Sequence, residues 1–201
     1  ANAPANHTFL LSETGEVEIP EKSLAVKRGK VSSDWHTVEL PKCGGTVVGI
    51  DIGTTTLAAV KICNGEITAK ASCYNPQSRF GDNVVSRINY SATGGLGTLQ
   101  KAVVDSIKEL VEQMGDGDIS RMAVAGNTVM TCLFHGIDPS SIGVMPFTPP
   151  ARIFPVRNDL FGNIPVFTVP AIAGYVGGDL TAGFAETGLK SGEMLVDIGT
   201  N

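Results

Sequence analysis

The chain has 201 residues, 42% of them apolar and 17% charged, with a net charge of −5. It is apolar enough to build a core and long enough for one domain plus a smaller piece, which excludes wholesale disorder. The 24 glycines and 11 prolines keep no period, so collagen is out. The acidic balance offers no basic face to nucleic acid and no attraction to an anionic membrane, and the apolar runs stop short of the ~18 residues of a spanning helix.

Residues 1–45 read as a linker or small extended segment. Val17-Glu18-Ile19 and Val38-Glu39-Leu40 alternate apolar with polar residues between glycines and prolines. The first residues have no charged stretch followed by an apolar core, so they are not a signal peptide. Cys43, Cys63, Cys73 and Cys132 include no CxxC pair. They carry no iron–sulfur or zinc signature and read as the reduced thiols of a cytoplasmic protein.

At Thr46 the pattern changes. Residues 46–52 form a near-continuous apolar run ending on Asp51, which predicts a strand buried on both faces. Residues 57–63 give a second strand, Asn64-Gly65 a hairpin turn, and 66–73 a third strand. Asp82 or Asn83 caps a short helix to about Tyr90. Leu99, Val103, Ile107 and Leu110 recur at helical spacing and predict a helix over 98–114. Residues 121–125 give a fourth strand ending in the polar turn Gly126-Asn127-Thr128, followed by a helix over 129–135. Pro139, Pro146, Pro149, Pro150, Pro155, Pro165 and Pro170 make 138–170 an extended excursion containing a strand at 166–169. A glycine-rich helix is expected over 171–189, then a buried strand over 194–198.

Two segments share one pattern. Gly49-Ile50-Asp51-Ile52-Gly53-Thr54-Thr55 and Leu195-Val196-Asp197-Ile198-Gly199-Thr200-Asn201 each run an apolar strand into Asp-Ile-Gly-Thr. Glycine lets backbone approach a phosphate closely. Turn N–H groups and the hydroxyls of Thr54, Thr55 and Thr56 donate to phosphate oxygens. An aspartate repels phosphate directly, so a hydrated Mg²⁺ between them is the sensible arrangement, with Asp51 as its carboxylate. A single such motif also fits an Asx-type turn; two copies in matching strand contexts point to a clamp on a nucleotide's phosphates. Thr56 equally begins the next strand. Asn127, with Thr128, sits where such a cleft opens and is equally placed to cap a helix. Asp179 follows Gly177 and Gly178, which admit close backbone approach; it is placed to orient a water, hold metal or start a helix.

The paired motifs resemble the two phosphate motifs of the superfamily that unites acetate and sugar kinases, heat-shock chaperones and actin. The segment 171–179 resembles its connecting helix. That resemblance implies an α/β, ribonuclease H-like domain, a mixed sheet with flanking helices, binding ATP and Mg²⁺. Asp51-Ile52-Gly53-Thr54-Thr55-Thr56, Asn75-Pro76-Gln77, Asp82 to Ile88, Ala125 to Met130, Gly136-Ile137-Asp138-Pro139 and Gly174 to Asp179 occur in order. Over 46–201 they are similar to the ATP-dependent reductive activators of corrinoid-dependent methyltransferase systems. The resemblance implies a corrinoid protein as partner, reduction of Co(II) to Co(I), and an iron–sulfur centre in the parent or a partner, since this chain has no such motif. It also suggests that Asn75, Gln77, Arg79 and Arg87 face a protein partner. Alternatives are a small-molecule kinase of the superfamily, with Asp179 as base, or a non-catalytic docking fragment. The expected division is 1–45, an ATPase subdomain over 46–190, and 191–201 as the first strand of a truncated second subdomain, able to pair with another copy through its open edge.

Overall fold

The computed structural model describes residues 45–115, 117–188, 190 and 193–197, together with the backbone of two strands nearer the N-terminus. Those two, β1 (Glu16–Pro20) and β2 (Trp35–Glu39), pair antiparallel.

The main sheet has five strands. β3 (Thr46–Ile52), β4 (Thr56–Cys63) and β5 (Glu66–Tyr74) form the antiparallel meander expected from the hairpin signals. Asn64 at φ 50° and Gly65 at φ 88° supply the left-handed turn between β4 and β5. β6 (Ile119–Gly126) lies parallel to β3, and β7 (Val166–Thr168) parallel to β6, giving the order β5-β4-β3-β6-β7.

Three helices follow the sequence pattern. α1 (Val84–Tyr90) is capped by Asn83, whose side chain accepts from the Ser86 N–H while Ser86 reciprocates. α2 (Leu96–Gln113) buries Leu99, Val103, Ile107 and Leu110. α3 (Thr128–His135) is capped by Asn127 and ends at Gly136 in the left-handed region. Lys61 of β4 reaches the end of α2 and donates to the Gly115 carbonyl at 2.9 Å, a cation at a helix C-terminus. The core lies between helices and sheet, with Val48, Ile50, Ile52, Leu57, Met122 and Val124 facing Leu99, Ile107, Met130 and Leu133.

Three expectations change. β3 buries Val48, Ile50 and Ile52 but not the alternate residues Val47, Gly49 and Asp51, so only one of its faces is fully covered. Period-two geometry therefore puts Asp51 on the face opposite the core. The helix expected over 171–189 begins only at α4 (Gly178–Thr187). Residues 171–177 form a tight loop instead, with Ala173 and Val176 bridged, because Gly177 is extended and lies against residues 126–127. Residues 193–197 form no strand, and Met194 and Val196 are exposed. Leu195 lies near Gly183 of α4 instead, and no described strand adjoins the segment to complete a backbone ladder. Among the described residues no helix is long and apolar enough to cross a membrane.

His135 closes α3 inside the core. Its Nε2 pairs with the Thr168 hydroxyl at 2.8 Å, and its ring stacks on Phe154 at 4.6 Å. Burial pulls its pKa down to about 4, the Arg157 guanidinium adding to the effect and Asp159 opposing it. Between that value and the ordinary 6.5 the unfolded chain binds the extra proton. The stability this buried neutral imidazole carries is therefore complete above pH 6.5 and is lost as pH falls towards 4. Urea unfolding at pH 7 and pH 4.5 should differ by roughly 2–3 kcal/mol from this group. His135→Gln should flatten that part of the profile; an unchanged slope in the variant would assign the loss to other groups.

Candidate functional site

β3 and β6 end side by side. Their parallel register sets Asp51 against Ala125 and Ile52 against Gly126, while β4 places Ala58 on the other side of Asp51. Two alanines beside it leave the carboxylate room to project. It opens into a cavity of about 700 Å³ at the strand ends, lined also by Gly53 to Thr56, Asn127, Gly177, Asp179 and residues 195–197. The end of β3 thus stands beside the 126–128 turn, where the cleft is expected to open.

The turn after β3 is held from the interior. The Asn75 amide donates to the Gly53 carbonyl at 2.8 Å, and the Asn75 backbone N–H to the Thr55 carbonyl at 2.8 Å. Between them, Arg87 Nη2 donates to the Thr54 carbonyl at 2.7 Å. Three successive carbonyls thus point inward. In a trans peptide the following N–H points the opposite way, so the amides of Thr54 and Thr55 are directed to the cavity side. Successive N–H groups so arranged make an anion-binding concavity. Gly53 is required here, because a Cβ would stand 2.7 Å from the Thr56 carbonyl that its own N–H bonds.

Asn127 joins this turn to the neighbouring strand end. Its Oδ1 accepts from the Met130 N–H at 3.0 Å, capping α3, while its Nδ2 donates to the Thr54 hydroxyl at 3.1 Å. The helix-cap reading of Asn127 holds, and the same side chain also ties the cap to the turn after β3. Across the cavity, Gly177 packs so closely that a Cβ would lie 2.5 Å from Asn127 Cα and from the Gly126 carbonyl. Asp179 follows in the first turn of α4, its Oδ1 accepting from the Leu180 N–H at 2.8 Å.

Asp51, Asp179 and Asp197 share this one space. The Asp51 pKa rises to about 6, chiefly because the cleft walls displace its water, then through repulsion from Asp179 and Asp197. Burial also raises Asp179, with Asp197 adding repulsion. No three acidic, His or Cys side chains among the described residues stand close enough to chelate a metal directly. The three carboxylates that line the cavity are hard oxygen donors, the kind that Mg²⁺ takes while keeping several waters.

Two expected contacts fall elsewhere. Thr128 is fully buried and donates its hydroxyl to the Ala173 carbonyl at 2.6 Å, pinning the 171–177 loop. Gly178 packs on the Val169 backbone, where a Cβ would meet the carbonyl at 2.4 Å. Gly199, Thr200 and Asn201 lie outside the described residues. Asn75, Gln77 and Arg87 do not face a partner: each is wholly buried, while Arg79 is exposed. Their role as the layer beneath the turn was missed. The only signal for it was the polar run Asn75-Pro76-Gln77 directly after a strand.

Fold and site together define an α/β domain with an acidic cleft at the ends of two parallel strands. The chain belongs to the RACo middle region family, whose description matches residues 46–192. The corrinoid activation enzyme RamQ of Eubacterium limosum is 28% identical over 173 residues, covering 77% of this chain and 29% of that protein. A solved reductive activator for corrinoid, iron-sulfur protein matches with a TM-score of 0.69 at 32% sequence identity, over 89% of this chain and 31% of that one. The chain therefore spans about three-tenths of the length of these relatives.

Two substitutions probe the site without any assay of function. Asp51 is disfavoured as an anion by the fold, so its cost appears as pH rises from 3.8 through about 6 and is complete at neutrality. Solvent in the open cavity screens that cost to about 1 kcal/mol. Asp51→Asn should therefore raise the melting temperature at pH 7 by about 2–4 °C; a lower value would contradict the assigned strain. Gly177→Ala should cost more than about 2 kcal/mol in urea unfolding, since backbone on both sides must move; a neutral result would mean the 177–127 contact is loose.

Proposed function

We propose that this chain forms the first phosphate-binding half of an ATP-dependent reductive activator that returns an inactive Co(II) corrinoid protein to Co(I). Its membership of the RACo middle region family supports this reading, as do two relatives described as acting on corrinoid systems. The sheet order β5-β4-β3-β6-β7, with one antiparallel meander and two added parallel strands, fits the ribonuclease H-like fold of the acetate kinase, chaperone and actin superfamily. The observation that carries the reading is Asp51 beside a turn whose carbonyls are all drawn inward.

In this reading the amides of Thr54 and Thr55 receive phosphate oxygens. The Thr54 hydroxyl, set by Asn127, lies beside them. Asp51 would hold a hydrated Mg²⁺, which would neutralise phosphate charge; Asp179 and Asp197 line the same cavity. Asp179 orients the water that attacks the terminal phosphoryl group, releasing ADP and phosphate. Gly199, Thr200 and Asn201 continue the second motif towards the same phosphates. One electron passes from a reduced iron–sulfur centre outside these 201 residues to the cobalt. Such an activator works in the cytoplasm.

The test uses the full-length protein with a Co(II) corrinoid protein, a reduced iron–sulfur donor and Mg·ATP, followed by the cobalt absorption spectrum. ATP-dependent appearance of Co(I) is expected. Asp51→Asn should slow turnover tenfold or more, at least ~1.4 kcal/mol of transition-state stabilisation, with a smaller loss of nucleotide affinity because the turn amides remain. Co(I) formation that ignores ATP, or phosphoryl transfer to a small metabolite instead, would overturn the proposal.

A further inference from the structure

Arg87 is the largest fully buried side chain in the described domain. It projects from α1 to the underside of the Gly53–Thr55 turn. Nε donates to the Gly81 carbonyl at 2.9 Å, Nη2 to the Thr54 carbonyl at 2.7 Å, and Nη1 to the Gln77 amide oxygen at 3.2 Å, with the Met130 sulfur at 3.0 Å. Every one of these acceptors is neutral. The nearest acidic influence, Asp82, is exposed and accepts instead from Asn83 and Ser86. Burial lowers the guanidinium pKa only to about 10, so the group stays charged at neutral pH.

A buried cation whose hydrogen-bond acceptors among the described residues are all neutral is costly, and such charges are ordinarily paired directly. One layer of backbone separates this one from the cavity where the Thr54 and Thr55 amides are directed. An anion seated on those amides would supply a counter-charge through the turn. Hydrogen-bonded donors also strengthen the dipole of the peptide they bond, and Arg87 bonds the carbonyl of the same peptide whose N–H is Thr55.

We propose that Arg87 is the positioning residue of the anion site, holding the Thr54–Thr55 peptide from below and providing the fixed positive charge that a phosphate group on the turn answers. This rests on the phosphate-binding reading above and names the element that makes the turn selective for anions. It touches no ligand; it acts through one peptide.

The experiment is calorimetry of Mg·pyrophosphate binding to the full-length protein, with Arg87→Lys, Arg87→Met and Asn75→Ala, each also melted without ligand. Lys keeps the charge and loses part of the bonding; Met loses both; Asn75→Ala loosens the turn and leaves the charge. Affinity should fall tenfold or more in Arg87→Met and within about threefold in Arg87→Lys, although both melt lower than the unsubstituted protein. Asn75→Ala should lose affinity less than Arg87→Met at matched loss of stability. Affinity that follows melting temperature across all three variants would make Arg87 merely structural and overturn the proposal. If Arg87→Met does not fold, the Arg87 Nε–H nitrogen-15 signal of the unsubstituted protein decides. It should move on titration with Mg·pyrophosphate and not with matched chloride; a fixed signal while the Thr54 and Thr55 amides move overturns the role. No binding by the unsubstituted protein would instead sink the phosphate reading itself.

Discussion

Three hydrogen bonds from the interior, to the carbonyls of Gly53, Thr54 and Thr55, set the rest of the domain in relation to its cleft. Bonding each carbonyl from below fixes the plane of each peptide, and a fixed plane fixes where its N–H is aimed. The donors must come from somewhere rigid. Asn75 stands where β5 ends and accepts from the Gln77 N–H; Gln77 in turn donates to the Leu99 carbonyl of α2. Arg87 is carried by α1, whose own start is fixed by the Asn83–Ser86 capping pair. The meander, the first helix and the long helix thus converge on three residues of loop.

The opposite side of that loop is acidic. A fold built for stability alone would not bring Asp51, Asp179 and Asp197 into one cavity, where burial and mutual repulsion raise the pKa of the first two. The sheet tolerates it because of the pleat. Val48, Ile50 and Ile52 satisfy the core while Asp51 faces away from it, flanked by Ala58 and Ala125. Strain localised beside small residues is characteristic of sites kept for binding or chemistry.

Much of this was legible in the sequence, and the failures have physical causes. The meander, the fourth strand and the three helices came from hydrophobic period, Asn-Gly turn chemistry and capping residues, all local signals. The two strand ends meet because β3 and β6 are neighbours running in the same direction, so their C-terminal ends lie side by side. The inward role of Asn75, Gln77 and Arg87 was not legible, since polar residues in a loop normally face water and only the packing of α1 and α2 encloses them. Thr128 was misread for the same reason: a hydroxyl in a polar turn looks available until the 171–177 loop folds over it. That loop broke the expected helix because Gly177 serves contact with Asn127 rather than helix geometry. Residues 194–198 looked like a strand, yet a strand is a relation between neighbours that no single segment contains.

Asn127 carries two bonds at opposite ends of one amide, an acceptor to α3 and a donor to Thr54. Aspartate is an equally good helix cap but has no hydrogen to give when ionised. Serine or threonine would cap with a hydroxyl and lack the reach of a second atom. The side chain at this position is thereby chosen by a demand from each strand end at once, and the amide is the shortest group that meets both. The ladder between β3 and β6 ends at Ile52 and Gly126, and beyond it this one asparagine ties the two loops together.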